Sequence, residues 1–185
     1  EAETGIPCCV FNRFRPILSI RMNNRDHRKL LIVDGHTAFT GGVNLADEYI
    51  NVKERFGHWK DSAILVQGEA AWSMTVMFLT MWGYIREVEE DYDRLRPDGQ
   101  PPEASLGKGY YVQPYADNPL DNEPVGETVY LNLVSKAKQY VYITTPYLIV
   151  SDSLNTALCS AAKAGVDVRI ITPHIPDKKI VFELT

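Results

Sequence analysis

The sequence predicts an α/β protein from three observations along the chain. A β-type apolar run, RKLLIV, is followed at once by the turn dipeptide Asp34-Gly35 and a second β-type run. Apolar residues then recur at steps of three and four residues over 69–88, which is the period of a helix. Beyond residue 110, β-type runs alternate with amphipathic segments, a pattern typical of a parallel or mixed sheet covered by helices.

The first half of the chain is predicted to hold a hairpin, a third strand and one long helix. RKLLIV and residues 37–40 form the hairpin, and residues 61–67 form the third strand, which ends at Gly68. The helix over 69–88 carries an apolar stripe, so we expect this face to pack against a core. The stripe consists of Met74, Phe78, Met81, Trp82, Ile85 and Val88.

The second half is predicted to alternate strands with helices after a linker. Residues 89–109 are rich in proline, glycine and charge and lack periodicity, as linkers do. Ser151 or Asp152 is a suitable N-cap for the second helix, and Gly165 is a suitable stop. The predicted strands are 110–115, 140–148 and 166–173, and the predicted helices are 127–139 and 151–165.

Composition limits the classes of function. The chain has 185 residues and 45% hydrophobic residues, which is enough for a globular core. Its formal net charge of −5 disfavours a nucleic-acid partner, because such domains usually carry a basic surface. No run of about 18 apolar residues is present, so the sequence predicts no membrane-spanning helix within this chain.

The chemistry is concentrated in the stretch RDHRKLLIVDGHTAFTGGVNL, residues 25–45. In an extended segment, side chains at i and i+2 lie on the same face, so His27 and Lys29 would face one phosphodiester together. The imidazole is a competent nucleophile at phosphorus, and the ammonium neutralises a non-bridging oxygen. Gly41 and Gly42 would let backbone N–H groups approach the same anion, and Asn44 would donate its amide.

Each of these features has an ordinary structural explanation when it stands alone. A histidine beside a lysine on a strand is most often solvated surface, Asp34 before a glycine is a turn former, and Gly41-Gly42 is typical of a bulge. The joint pattern is much less easily explained in this way. We therefore predict a phosphoryl-transfer site.

The joint pattern resembles the signature of the phospholipase D superfamily, His-x-Lys-x4-Asp-x6-Gly-(Gly/Ser)-x-Asn. Every specified position is filled here, by His27, Lys29, Asp34, Gly41, Gly42 and Asn44. The flanking segments are similar to those of bacterial cardiolipin synthases, and the resemblance covers nearly all of the chain. The segments are NNRDHRK, FTGGVNLADEYI, FGHWKDSAILVQGEAA, YITTPYLIVSDSL and AAKAGVDVRIITP.

The resemblance implies a reaction and a set of roles. Family members have two lobes with one signature each, and the two histidines meet between the lobes. One forms a phosphohistidine, while the other acts as general acid and then base. Two phosphatidylglycerol molecules become cardiolipin and glycerol, without metal or organic cofactor, at the cytoplasmic face of the cell membrane. The resemblance thus implies His27, Lys29 and Asp34 as catalytic and Gly41, Gly42 and Asn44 as substrate-binding. Which step His27 performs stays open.

This sequence departs from the family pattern because it contains only one signature. We therefore interpret it as a fragment: residues 1–95 are the later half of lobe one, 96–109 a linker, and 110–185 the truncated early half of lobe two. The fold expected is the phospholipase D-type mixed sheet sandwiched by helices. We expect the two halves to share one sheet, within a chain or exchanged between two chains of a homodimer. A fragment without the second histidine should be nearly inactive.

Two other functions remain open at this point. One is another phosphodiesterase of the superfamily, either a phospholipase or a nuclease. The other is a non-catalytic lipid-binding module. The net charge and the flanking segments disfavour a nuclease, and the complete signature argues against loss of catalysis. The partners that we expect are phosphatidylglycerol and other anionic membrane lipids, and not nucleic acid.

Overall fold

The computed structural model describes residues 5–12, 26–89, 91–98, 111–118 and 122–175. The chain divides into two compact units. Unit 1 is Glu1–Ile50 with Lys60–Pro114, and unit 2 is Asn51–Trp59 with Tyr115–Thr185. Both units combine helices with strands, which confirms the predicted α/β class. The assignment of the two halves to particular lobes stays a prediction.

Unit 1 is a three-stranded antiparallel sheet with one long helix. The strands β1 (Leu30–Val33), β2 (Thr37–Gly41) and β3 (Ala63–Gln67) lie in the order β1-β2-β3. The helix α1 (Glu69–Arg86) packs against all three strands. The hairpin, the third strand and the long helix are therefore where the sequence predicts them.

The turn between β1 and β2 follows from its two central residues. Asp34 and Gly35 have φ angles of 52° and 65°, and the His36 N–H donates to the Val33 carbonyl at 3.2 Å. Positive φ at both central positions is what a type I′ turn requires, and Asp-Gly is among the dipeptides that adopt it most readily. The predicted turn is confirmed.

The core of unit 1 lies between the sheet and α1. Its buried members are Ala38, Val66, Ala71 and Met74. Met74 belongs to the predicted apolar stripe, whereas Phe78 and Val88 of that stripe are 44% and 51% exposed. The helix ends at Arg86, because Glu87 adopts a left-handed φ of 55°. Among the described residues, no helix is long and apolar enough to cross a membrane.

Unit 2 is built from two helices and two parallel strands. The elements are α2 (Val125–Lys136), β4 (Tyr140–Thr144), α3 (Asp152–Lys163) and β5 (Asp167–Ile171). Tyr140 of β4 pairs with Asp167 of β5, and α2 packs against α3. Ser151 is the N-cap of α3, where its hydroxyl accepts the Leu154 N–H at 3.3 Å, and Gly165 follows α3 with a φ of 94°. The predicted cap and stop are confirmed.

Two expectations about the strands are wrong. Residues 111–118 contain no strand, although Tyr and Val favour one, because β propensity acts only where a partner strand is present and Pro114 offers no N–H. Nor do the halves share a sheet within the chain: the described strands form one sheet of β1–β3 and another of β4 and β5. Each sheet joins strands that are neighbours in sequence, which is the common outcome. Exchange between two chains stays a prediction.

Candidate functional site

The hairpin brings five of the six predicted site residues to one of its ends. Leu30 pairs with Thr40 in the antiparallel register, so residues before Leu30 and residues after Thr40 lie at the same end of the two strands. The five residues at this end are His27, Lys29, Gly41, Gly42 and Asn44.

Asp34 lies at the other end of the hairpin, in the turn. Lys29 and Asp34 are separated by the length of β1, roughly 17 Å for five residues at about 3.4 Å each. The structure therefore does not bring Asp34 to His27 and Lys29. Its left-handed backbone identifies Asp34 as a turn residue, and the catalytic role that the family resemblance implies for it stays a prediction.

His27 and Lys29 are in direct contact. The Lys29 Nζ lies 3.0 Å from the His27 Nδ1, and it donates to the His27 carbonyl at 2.6 Å. Both residues precede β1, which begins at Leu30 instead of at Arg28 as the apolar run suggested. The predicted placement of the two side chains on one side of the chain agrees with the contact. The His27 side chain is exposed, as a residue that meets a substrate must be.

The contact with a charged Lys29 favours one tautomer of the His27 ring. A lysine ammonium can only donate, so the neutral imidazole accepts at Nδ1 and holds its proton on Nε2. In this arrangement Nε2 has no lone pair for attack. Attack through Nε2 requires the Lys29 Nζ to move from Nδ1, and a phosphate oxygen is a stronger acceptor for the ammonium.

Two opposing effects act on the pKa of the Lys29 ammonium. Partial removal from water lowers the pKa of its ammonium, while the negative charges of Asp26 and Asp61 oppose this shift. The two carboxylates thus favour the charged form of Lys29, which is the form that neutralises a phosphate oxygen. Neither carboxylate was among the predicted site residues. The sequence holds a hint for Asp26 alone, which directly precedes His27.

Asp26 and Arg28 form a tight pair around His27. The Arg28 Nη2 lies 2.6 Å from the Asp26 Oδ2, and its Nε donates to both carboxylate oxygens at 2.9 and 3.1 Å. This pairing holds the pKa of the Asp26 carboxyl below its usual range and raises that of the guanidinium. The Arg28 side chain is therefore engaged with the Asp26 carboxylate.

Gly41 and Gly42 have a packing role in this structure. A Cβ on Gly41 would lie 2.6 Å from the Ser62 carbonyl oxygen, and a Cβ on Gly42 would lie 2.5 Å from an Asp61 carboxylate oxygen. The Gly42 N–H donates to the Ser62 carbonyl at 3.4 Å. The absence of side chains therefore lets β2 and the segment before β3 approach closely. Contact of these glycines with an anion stays a prediction.

The remaining predicted residue, Asn44, is half-buried, and its carbonyl accepts the Ala46 N–H at 3.0 Å. Within the described ranges, His, Cys, Asp and Glu form no group of three or more that could hold a metal ion. The chemistry available at the end of the hairpin is thus an exposed imidazole, an adjacent ammonium and an amide. Together these groups can attack a phosphodiester and neutralise the charge that develops on it.

Comparison with known sequences gives a family match and close relatives. Residues 130–184 match the family described as "Cardiolipin synthase, PLD-like domain". An uncharacterized protein of Streptococcus mutans is 49% identical over 182 residues, 98% of this chain and 39% of that protein. A cardiolipin synthase of Geobacillus kaustophilus is 36% identical over 180 residues, 96% of this chain and 35% of that protein.

A further relative, named cardiolipin synthase 2, comes from Bacillus anthracis. It is 36% identical over 182 residues, 97% of this chain and 35% of the relative. The similarity therefore extends along almost the whole chain, including the segment from His27 to Asn44. The chain spans between 35 and 39% of the length of these three relatives.

Proposed function

We propose a phosphatidyltransferase function for this chain, which is a cardiolipin synthase-like protein of the phospholipase D superfamily. In this proposal the end of the hairpin supplies one half of the site that condenses two phosphatidylglycerol molecules into cardiolipin and glycerol. The observation that carries the proposal is the pair formed by His27 and Lys29, with Nδ1 and Nζ 3.0 Å apart. The pair fills the His-x-Lys positions of the superfamily signature.

The reaction proceeds in two displacements at phosphorus. A histidine nitrogen attacks the phosphorus of phosphatidylglycerol, a P–N bond forms, and the P–O bond to the terminal glycerol breaks. A second histidine, which the family resemblance places in the other lobe, protonates the departing glycerol oxygen. It then removes the proton from a hydroxyl of a second phosphatidylglycerol, whose oxygen attacks the phosphohistidine. The P–N bond breaks, cardiolipin forms, and the nucleophilic histidine is free again.

The residues around His27 have distinct parts in this scheme. Lys29 leaves the His27 Nδ1 to neutralise a non-bridging phosphate oxygen, which favours attack and shifts the histidine toward its nucleophilic tautomer. Asn44 contributes a hydrogen bond to the same phosphate, and the Gly42 N–H does so on leaving the Ser62 carbonyl that it contacts in the free protein. Asp34 contributes by forming the turn that sets the register of β1 against β2. His27 is assigned here to the site without a choice between nucleophile and general acid.

The proposal places the reaction at the cytoplasmic face of the cell membrane, where phosphatidylglycerol is presented in an anionic surface. It involves no metal and no organic cofactor, as the family resemblance implies. We therefore expect that chelation of divalent metals by EDTA leaves the transfer rate unchanged. A loss of activity that a divalent metal restores would contradict this part of the proposal.

The test uses the complete protein and two substrates. Vesicles containing phosphatidylglycerol should yield cardiolipin and glycerol in equal amounts, measured by mass spectrometry of the lipids and an enzymatic glycerol assay. Double- and single-stranded DNA should remain intact under the same conditions. Cleavage of DNA without formation of cardiolipin would contradict the proposal in favour of a nuclease, and phosphatidic acid as the sole lipid product would favour a phospholipase.

The isolated chain provides a second comparison. With 185 residues and one signature, it lacks the second histidine that the scheme requires. General acid catalysis typically contributes about 10²–10⁴-fold to a rate, so we expect the isolated chain to be slower than the complete protein by at least that factor. Transfer by the isolated chain at a comparable rate would show that the scheme assigns the second histidine wrongly.

A further inference from the structure

We propose that Asp26 is a positioning residue, whose carboxylate fixes the backbone on both sides of His27 and so directs the imidazole toward Lys29. The inference rests on the proposed role of His27 in phosphoryl transfer. Asp26 lies outside the superfamily signature as it is filled here, since the signature begins at His27. Its carboxylate accepts hydrogen bonds from the backbone N–H, the Nε and the Nη2 of Arg28.

Asp26 is hydrogen-bonded to Arg28, so the two sequence neighbours of His27 are tied to each other across it. Its Oδ1 accepts the backbone N–H of Arg28 at 2.9 Å, which is the i to i+2 hydrogen bond of an Asx turn. The same carboxylate receives the Arg28 Nε and Nη2 at 2.6–3.1 Å. Because backbone and side chain of Arg28 are both tied to Asp26, the backbone dihedral angles of His27 between them are restricted. A restricted backbone fixes the direction of the Cα–Cβ bond and limits the rotamers of the ring.

Residues 26–29, which include His27, lie outside the described strands. These residues precede β1, so no ladder hydrogen bond between the described strands orders His27. The Asp26 and Arg28 side chains are 22% and 31% exposed, so the pair is partly shielded from solvent. The order that the sheet gives to the residues of its strands is supplied to His27 by the Asp26 carboxylate and by the contact of Lys29 with the His27 carbonyl.

The chain offers a matched control for this pair. Asp167 and Arg169 have the same Asp-x-Arg spacing, with a 2.8 Å ion pair and an Nε to Oδ1 hydrogen bond of 3.0 Å. They lie on β5, where pairing with β4 already orders the backbone, and they flank Val168 instead of a histidine. Loss of the Asp167 carboxylate removes the same aspartate–arginine interaction, together with a hydrogen bond from the Tyr142 hydroxyl, without touching His27.

The first experiment measures the tautomer of the His27 ring by ¹⁵N NMR in the isolated chain, independently of any activity. In the unsubstituted chain we expect the proton mainly on Nε2, with Lys29 donating to Nδ1. Asp26→Ala should shift the Nδ1 and Nε2 resonances toward those of a free histidine. Asp26→Asn, which keeps an oxygen for the Arg28 N–H, should shift them less, and Asp167→Ala should leave them unchanged. Unchanged resonances in Asp26→Ala, or an equal shift in Asp167→Ala, would overturn the inference.

The second experiment measures kcat and KM for phosphatidylglycerol in the complete protein. A displacement of about 1 Å in a reacting group lowers rates by about 10²-fold, so Asp26→Ala should lower kcat by about 10- to 100-fold with little change in KM. Asp26→Asn should restore most of kcat, and Asp167→Ala should retain it. If Asp26→Ala keeps the kcat of the unsubstituted protein while His27→Ala is inactive, the positioning role is wrong and the proposed function stands. If His27→Ala is active, the proposed function itself is wrong.

Discussion

Replacing Gly41 with alanine tests the close approach of two strands beside the site. Gly41 is the last residue of β2 and pairs with Ala63 of β3. A Cβ at this position would lie 2.6 Å from the Ser62 carbonyl oxygen and 3.0 Å from both the Cα and the Cβ of Ala63. These are mainly atoms of the neighbouring backbone, which cannot rotate away. We therefore expect Gly41→Ala to push the ends of β2 and β3 apart.

The magnitude follows from the size of the overlap. The 2.6 Å contact is 0.8 Å short of the 3.4 Å at which ordinary van der Waals contact begins. Forcing one methyl group into a packed position typically costs about 1–3 kcal/mol, and we expect the upper part of that range because a strand has to move. Gly42→Ala is the matched control. Its Cβ would meet the Asp61 carboxylate, a side chain that can rotate away, and the loss of its hydrogen bond from the Ser62 N–H costs about 1 kcal/mol.

The assay is urea unfolding of the isolated chain followed by tryptophan fluorescence. The chain has three tryptophans, of which Trp72 and Trp82 lie on α1 in unit 1 and Trp59 lies in unit 2. A Trp59→Phe background therefore confines the fluorescence to unit 1. The midpoint and slope of the transition give the free energy of unfolding for each glycine variant in this background.

The reasoning is refuted by either of two results. Gly41→Ala with an unfolding free energy close to that of the background would mean that β2 and β3 do not approach as closely as described. A greater loss in Gly42→Ala than in Gly41→Ala would mean that the neighbours of the two glycines are misassigned. In both cases the packing explanation for the Gly-Gly pair would fail.

Three further predictions concern other parts of the fold. Asp34→Ala should destabilise unit 1 by about 1–2 kcal/mol, because alanine is disfavoured at the left-handed φ of 52°. Asp34→Gly should not destabilise it, because glycine adopts a positive φ readily. Lipid transfer by Asp34→Gly near the original kcat would confirm that this residue acts through the turn. Ser151→Ala should lower the free energy of unfolding of unit 2 by about 1 kcal/mol, because the Ser151 hydroxyl caps α3 at the Leu154 N–H. Ser151→Thr keeps a hydroxyl and should stay close to the original, so equal stability of both variants would refute the cap. The hydrogen bond from Tyr142 to Asp167, together with the carboxylate charge, raises the pKa of the Tyr142 phenol. The stability that this hydrogen bond contributes is therefore present below about pH 10 and is lost as the pH rises through the raised pKa. Asp167→Asn should lower that pKa in a titration by ultraviolet absorbance, and an unchanged titration would contradict the assignment.

Local sequence chemistry predicts much of the fold. Asp34-Gly35 determines the hairpin, Gly68 separates β3 from α1, and Ser151 marks the start of α3, because each depends on interactions within a few residues. The strand expected over 110–115 fails for the opposite reason. Strand formation requires a partner elsewhere in the chain, and the apolar and aromatic character of a single run contains no information about that partner.

The sequence predicts some features of the candidate site and misses others. The i to i+2 spacing of His27 and Lys29 correctly anticipates their contact. Asp34 was grouped with them because it belongs to the same signature, although five residues of extended chain place it far from both. Asp61 could not be found from the sequence, because its position against Gly42 depends on the pairing of β2 with β3.

The most direct test of the central claim is lipid transfer by the His27→Ala variant of the complete protein, with His36→Ala as the matched control. His36 belongs to the same hairpin, but its Nδ1 contacts only the Asp34 carbonyl of the turn among the described residues. Cardiolipin formation from phosphatidylglycerol vesicles is measured alongside circular dichroism, which reports whether each variant remains folded. The account predicts a folded His27→Ala variant with no more than a few per cent of the original rate and a His36→Ala variant close to the original. A folded His27→Ala variant that retains substantially more than this would contradict the assignment of His27 to the site.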